Sequence, residues 1–245
     1  MKICVPVSTP SAEEALQAIG EAAVAADLVE LRMDAIGDVS LAALLSRARS
    51  FSPPPAVVVT NRRREEGGVR PPAAGERLED AERRRVGVLI EAANLGAEFV
   101  DVELATDAHL REALLEAIAR RGFRTAPIVS HHDFRRTPSL RRLKSIYDRC
   151  VDAGAAIVKI ATTAVQPPDN LRILELVAHA RRNGQPVIAF CMGAAGRISR
   201  LAAPVLGAEC GFACLRKGEE SAPGQFTVQE MRRAMKMIGG EEKKA

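Results

Sequence analysis

Short apolar runs alternate with amphipathic stretches from one end of the chain to the other. Runs at 2–8, 27–33, 56–61, 98–104, 125–131, 155–162, 186–192 and 211–215 read as strands, because apolar and β-branched residues in segments of this length suit a pleated, buried surface. Between them, apolar positions spaced by three and four predict helices over 11–25, 40–49, 75–95, 107–121, 138–152, 168–183, 196–206 and 226–238. Ser40, Asp107 and Thr227 stand where a side-chain oxygen would cap a helix N-terminus, and Gly96, Gly122, Gly154 and Gly184 stand where helices would stop. Eight strand–helix repeats in 245 residues match the length and order of one α/β domain, a (β/α)8 TIM barrel spanning 1–245. A doubly wound open sheet is the alternative, but no Gly-x-Gly-x-x-Gly follows the first strand. No linker, low-complexity segment or shift in composition divides the chain.

A barrel of this kind does its chemistry at the C-terminal ends of the strands and in the loops that follow. The polar residues collect there. Glu30, Arg32 and Asp34 are spaced by two and so share one face near the end of the second strand. The third strand runs into Arg62-Arg63-Arg64-Glu65-Glu66-Gly67-Gly68, the fourth holds Asp101 and Glu103, and the fifth ends in His131-His132-Asp133-Phe134. The sixth carries Lys159, the seventh leads to Ser199-Arg200, and Ser221-Ala222-Pro223-Gly224-Gln225 follows the eighth. Taken singly, each has a plain structural reading: an ion pair inside the barrel for Glu30 and Arg32, a solvated loop for 62–66, a turn for 131–133 and for 221–225, and helix decoration for Arg200. Their common end of successive strands is what sets them apart.

Lys159 is the most informative of them. It lies within Ala-Ala-Ile-Val-Lys-Ile-Ala-Thr-Thr-Ala (155–164), an apolar strand where an ammonium is costly to bury unless it is paired or loses its proton. Apolar neighbours on both sides, and arginines across the barrel mouth, would lower its pKa and leave an amine able to form a Schiff base with a ketone or aldehyde.

Composition narrows the class. The chain is 47% hydrophobic but only 3% aromatic, so the core is built from Ala, Val, Leu and Ile. The net charge of +4 is dispersed, with no basic block interleaved with aromatics, which argues against a nucleic-acid partner and suits a small anionic substrate. Five cysteines, odd in number and without a Cys-x-x-Cys pair, fit a reducing cytoplasm. No apolar run reaches the roughly 18 residues of a membrane span, and the early apolar run is too short for a signal-peptide core. The last residues, 241–245, read as a solvated tail.

Together these segments resemble the type I 3-dehydroquinate dehydratase family nearly end to end. The resemblance is carried by Glu30-Leu31-Arg32-Met33-Asp34, Arg62 with Glu66-Gly67-Gly68, Asp101-Val102-Glu103, His132-Asp133-Phe134, Lys159-Ile160-Ala161, Ile198 to Ala202 and Ser221 to Gln225. It implies a hydro-lyase of the shikimate pathway that converts 3-dehydroquinate to 3-dehydroshikimate by syn elimination. Lys159 then matches the imine-forming lysine, His132 the general acid/base and Glu66 its acidic partner. Glu30, Arg32, Arg62, Arg200, Ser221 and Gln225 match the substrate-holding positions, with Arg200 on the carboxylate. It also implies a covalent lysine imine with no metal or cofactor, and a homodimer. One departure is that some members have a hairpin before the first strand, whereas this chain enters that strand at once.

Three other readings share parts of the pattern. A class I aldolase would use Lys159, although only Gly193–Gly196 offers a phosphate cradle. A metal-dependent hydrolase would draw on His131, His132, Asp133 and Glu103, although His109 and His179 fall within helices. A non-catalytic barrel binding a sugar acid would tolerate loss of Lys159.

Overall fold

The computed structural model describes residues 1–120 and 125–239. Eight parallel strands alternate with eight helices. The strands are β1 (Lys2–Val7), β2 (Leu28–Arg32), β3 (Ala56–Thr60), β4 (Phe99–Glu103), β5 (Ala126–Asp133), β6 (Ile157–Thr163), β7 (Val187–Met192) and β8 (Cys210–Cys214). The helices are α1 (Ala12–Ala25), α2 (Leu41–Arg49), α3 (Leu78–Asn94), α4 (Ala108–Arg120), α5 (Leu140–Asp152), α6 (Asp169–Arg182), α7 (Arg197–Val205) and α8 (Val228–Gly239). A two-residue strand, β9 (Phe226–Thr227), adds to β8 just before α8. Hydrogen-bonded neighbours run β7-β6-β5-β4-β3-β2-β1-β8-β9, so the sheet curls into the expected barrel with its seam between β7 and β8. Glu209 N donates to Val187 O across that seam at 2.9 Å, and Phe190 and Phe212 pack inside it with centroids 5.7 Å apart.

Strand alternation sorts the side chains into two cores. Val29 and Leu31, Val57 and Val59, Val100 and Val102, and Val158 and Ile160 face the helices and join the larger apolar cluster. Cys4, Leu28, Val58, Ile128, Ile157, Ile188, Phe190, Cys210 and Phe212 fill the barrel interior. Each fully buried aliphatic side chain contributes about 1.5–3 kcal/mol relative to exposure, so the dry strand–helix interface supplies most of the driving force. On β2 to β6 most inward positions nearer the strand C-termini are polar and form the site, while Ala161 on β6 and Met192 on β7 remain apolar.

The helix signals hold for the most part. Ser40 Oγ accepts from Ala43 N, and Asp107 Oδ1 accepts from His109 N and Leu110 N. Thr227 Oγ1 accepts from Glu230 N while Glu230 Oε2 accepts from Thr227 N, a reciprocal capping box. Gly96, Gly154 and Gly184 follow α3, α5 and α6. Gly122 and the tail at 241–245 lie outside the described residues. Two boundaries differ in ways that matter. The fifth strand continues past 131 to Asp133, because His132 and Asp133 pair with Ala161 and Thr162 of β6. The eighth helix begins only at Val228, because Phe226 and Thr227 pair with Ala213 and Cys214 first.

Candidate active site

The extended β5 places His132 on the same inward face as Ser130, while His131 turns toward the helices. Register sets Ser130 beside Lys159 and His132 beside Ala161 on β6. Lys159 therefore roots one step deeper than His132 on the adjacent strand, and its long side chain rises toward the mouth. It is 3% exposed. Its Nζ donates to Asp101 Oδ2 at 2.7 Å and to Glu30 Oε1 at 3.3 Å, and lies 4.6 Å from the centre of the Phe212 ring.

Two carboxylates opposite the lysine overturn the expected electrostatics. Burial by itself depresses the ammonium pKa, but Asp101 and Glu30 outweigh burial and Arg62, and hold it above the ordinary lysine value. Arg62, one of the arginines expected across the mouth, is neutralised. Arg62 reaches Asp101 through Nη1 and Nη2 at 3.0 and 2.7 Å, Glu103 at 3.0 Å and Ser130 Oγ at 2.8 Å. Asp101 also accepts from Ser130 Oγ at 2.6 Å. Burial would raise its pKa, but Arg62 and Lys159 hold the carboxyl well below the usual range. Arg85 closes the outer side by donating to Glu103 Oε2 at 2.7 Å.

Glu66 comes from a short 3-10 turn, Arg64–Glu66, that ends in Gly67 at φ 89°. Phe134 packs directly over Gly67, where a Cβ would lie 2.5 Å from the ring. Glu66 Oε2 meets both the backbone N–H and the ring Nδ1 of His132 at 2.9 Å. With a carboxylate there, the ring proton belongs on Nδ1 and the Nε2 lone pair is left free. Burial and the nearby Arg62 and Lys159 push the His132 pKa well below the ordinary histidine value, so the ring is a neutral base. Burial, with Glu103 close by, raises the Glu66 pKa to about 7.

Arg32 is held differently from the other predicted residues. Its Nε and Nη2 form a fork on Asp34 at 2.9 and 2.8 Å, and Nη2 also reaches Gly67 O. Asp34 in turn accepts from the backbone N–H of Arg62 and Val69. The pair thus ties β2 to the loop that carries Glu66. Glu30 accepts from Thr60 Oγ1 at 2.8 Å as well as from the lysine.

Arg200, on α7, is 1% exposed, yet its Nε and Nη1 have no hydrogen-bond partner. Its Nη2 donates to Pro223 O at 3.0 Å, and its guanidinium lies 4.6 Å from the Phe190 ring centre. Burial lowers its pKa to about 10, and among the described residues no carboxylate pairs with it. Open guanidinium donors have the geometry that a carboxylate's two oxygens match. The Phe190–Phe212 pair connects it to Lys159 inside the barrel. Beside it, Ser221 and Gln225 hydrogen-bond each other through Ser221 N to Gln225 Oε1 and Gln225 Nε2 to Ser221 Oγ.

The structure thus ties Lys159, Glu30 and Arg62 into one network through Asp101, sets the His132–Glu66 pair beside it, and places Arg200 on α7 and Ser221 and Gln225 on the loop after β8. Asp101, at the centre of that network, is the residue that the sequence reading leaves without a role. Its signal was present: it shares a strand face with Glu103 by period-2 spacing. Asp34 and Arg85 likewise emerge only as struts. The donors for a metal hydrolase are dispersed. His131 and His132 face opposite sides of β5, Glu103 is bound by Arg62 and Arg85, and Asp133 accepts from Arg135 N and Arg136 N.

Fold and site define a (β/α)8 barrel with a carboxylate-held lysine and a histidine–glutamate pair at its C-terminal mouth. The family model for type I 3-dehydroquinase matches residues 3–242, and the chain belongs to that family. A 3-dehydroquinate dehydratase of Desulfotalea psychrophila is 35% identical over 231 residues, covering 94% of this chain and 95% of the relative. Among solved structures, the type I enzyme of Clostridium difficile with covalent modified comenic acid superposes with a TM-score of 0.84 at 25% identity, covering 97% of this chain and 92% of that one. The Geobacillus kaustophilus 3-dehydroquinate dehydratase gives 0.79 at 28% identity, covering 97% and 90%.

Proposed function

We propose that this protein is a 3-dehydroquinate dehydratase of the shikimate pathway, acting through a Schiff base on Lys159. The observation that carries the reading is Lys159 and His132 on one inward face of adjacent strands, each held by its own carboxylates. The resting Lys159 ammonium gives one proton to the free Nε2 of His132, the neutral amine adds to the substrate ketone, and that proton returns to the carbinolamine hydroxyl, which leaves as water to give an iminium. The iminium acidifies the α-proton, which the free Nε2 of His132 accepts, giving an enamine. The resulting imidazolium, stabilised by Glu66, returns that proton to the β-hydroxyl, which leaves as water. Hydrolysis of the conjugated iminium releases 3-dehydroshikimate and the lysine. One imidazole serves both transfers if proton and hydroxyl depart from the same face.

Asp101 and Glu30 have a double effect. They favour the protonated lysine at rest, and they favour the cationic iminium once it forms. The open donors of Arg200 suit the substrate carboxylate, while Arg32, Arg62, Ser221 and Gln225 hold or frame the ring hydroxyls. The reading needs no metal or organic cofactor, because the iminium is the electrophile. The whole chain acts as one barrel domain, and a homodimer in the cytoplasm belongs to the same reading, open to sedimentation and fractionation.

The test is an assay of purified, chelator-treated protein with 3-dehydroquinate, following the conjugated product by ultraviolet absorbance between about pH 6 and 9. Borohydride added with substrate should inactivate the protein and label Lys159 alone. No absorbance change across that range, or a label on another lysine, would sink the proposal.

A further inference from the structure

Behind the loop that carries Glu66, between that loop and α3, lies a cavity of about 260 Å³. Six arginines line it against two glutamates, and Pro71, Pro72, Leu78 and Ala81 give it an apolar side. Several of the arginines are neutralised. Arg62 and Arg85 share Glu103, Arg85 also holds Glu82, and Arg84 makes a two-pronged contact to Glu76 with both distances 2.9 Å. Arg63 is paired only at longer range, Arg70 donates to the Ile36 carbonyl, and Arg64 is left over. Arg63 Nε is buried without a hydrogen-bond partner, its nearest carboxylate oxygens lying 3.5 Å away on Glu82 and 3.7 Å away on Glu65. Arg64 is exposed at the rim and, among the described residues, pairs with no carboxylate. Leu78, at the same mouth, is 77% exposed.

An unsatisfied buried donor, an excess of guanidinium groups and an apolar wall converge on one recess. Their joint complement is an oxyanion on a small carbon body. We propose that this cavity is a second binding site, distinct from the barrel mouth, for a small organic anion such as a carboxylate. Arg63 and Arg64 hold the oxyanion, Arg84, shared with Glu76, lines the α3 side, and Leu78 with the prolines covers the carbon body. Planar guanidinium groups suit this, since their paired N–H donors match the spacing of carboxylate oxygens.

Benzoate is a suitable probe, since it carries both features. Arg200→Ala serves as the background, so that the open donors of the barrel mouth do not contribute. Calorimetric titration with benzoate, at ionic strength matched by chloride, should show saturable binding at one site. Arg64→Ala, which removes a side chain without an ion pair, should weaken it severalfold, and Arg64→Ala with Arg84→Ala at least tenfold. Arg120→Ala, an exposed arginine paired with Glu116 on α4, should leave it unchanged. Absence of saturable binding in the Arg200→Ala protein would overturn the proposal. So would binding that survives loss of Arg64 and Arg84, or that falls equally with Arg120→Ala.

Discussion

Arg200 shows what an unpartnered buried charge costs at a single position. Its guanidinium is buried with two nitrogens unbonded and only a ring face and one carbonyl as partners. A buried donor left without an acceptor is destabilising by roughly 1–3 kcal/mol, and more for a charged group. Arg200→Met keeps an apolar stem against Phe190 and removes the charge. The variant should melt at a higher temperature than wild type by an amount worth roughly 1–3 kcal/mol, while KM for 3-dehydroquinate rises about 30-fold or more through loss of the carboxylate pair. Thermal unfolding and steady-state kinetics read the two effects separately. A lower melting temperature would mean that Arg200 stabilises the fold.

The loops after β7 and β8 work as one unit. Gly193 N donates to Pro223 O at 3.0 Å, beside the Arg200 bond to the same carbonyl. Gly224 makes this approach possible: its φ is 83°, and an added Cβ would lie 2.4 Å from Gly193 O. Gly224→Ala should therefore push the Ser221–Gln225 loop off its partner and raise KM several-fold, with a smaller change in kcat. Gly218 supplies the control. It has a similar φ of 91° but nothing within 4 Å of an added Cβ, so Gly218→Ala feels the backbone strain of about 1–2 kcal/mol without the collision. Equal KM values in the two variants would contradict the account.

Across the whole molecule, Asp101 joins three strands and the loop after β3 through Lys159, Ser130 and Arg62. Its contribution has a defined pH window. Asp101 has a lowered pKa, so its share of stability is present above the ordinary carboxylate range and is lost as pH falls through the lower folded value. Lys159 has a raised pKa, so its share is present below the ordinary lysine range and is lost as pH rises through the higher folded value. Removing one partner of a buried ion cluster typically costs about 3–5 kcal/mol, and Asp101→Asn should lower neutral-pH stability by that order. The same change leaves Lys159 with Glu30 and Arg62, which lowers its pKa. Borohydride trapping with 3-dehydroquinate should then reach its half-maximal rate at a lower pH than in wild type. An unmoved trapping profile would show that Asp101 does not govern the lysine.

The elements were legible because their causes are local. Strand and helix periodicity, the oxygen caps at Ser40, Asp107 and Thr227, and the helix-ending glycines all act over a few residues of chain. Period-2 spacing likewise placed Glu30 and Arg32 on one face, and an apolar strand marked Lys159 as a cation out of place. What the chain could not reveal is which side chains meet across the barrel, since that depends on the stagger of strands far apart in sequence. The strand sequence predicts that Lys159 faces arginines, but it faces Asp101 and Glu30, which reverses the direction of its pKa. The register of β6 extended β5 to Asp133 and so turned His132 inward. The charged run at 62–66 read singly as a solvated loop, and only folding against His132 made Glu66 a buried partner. Local sequence determined the repeats and the kinds of chemistry available; strand stagger decided which charges neutralise one another and which are left for a ligand.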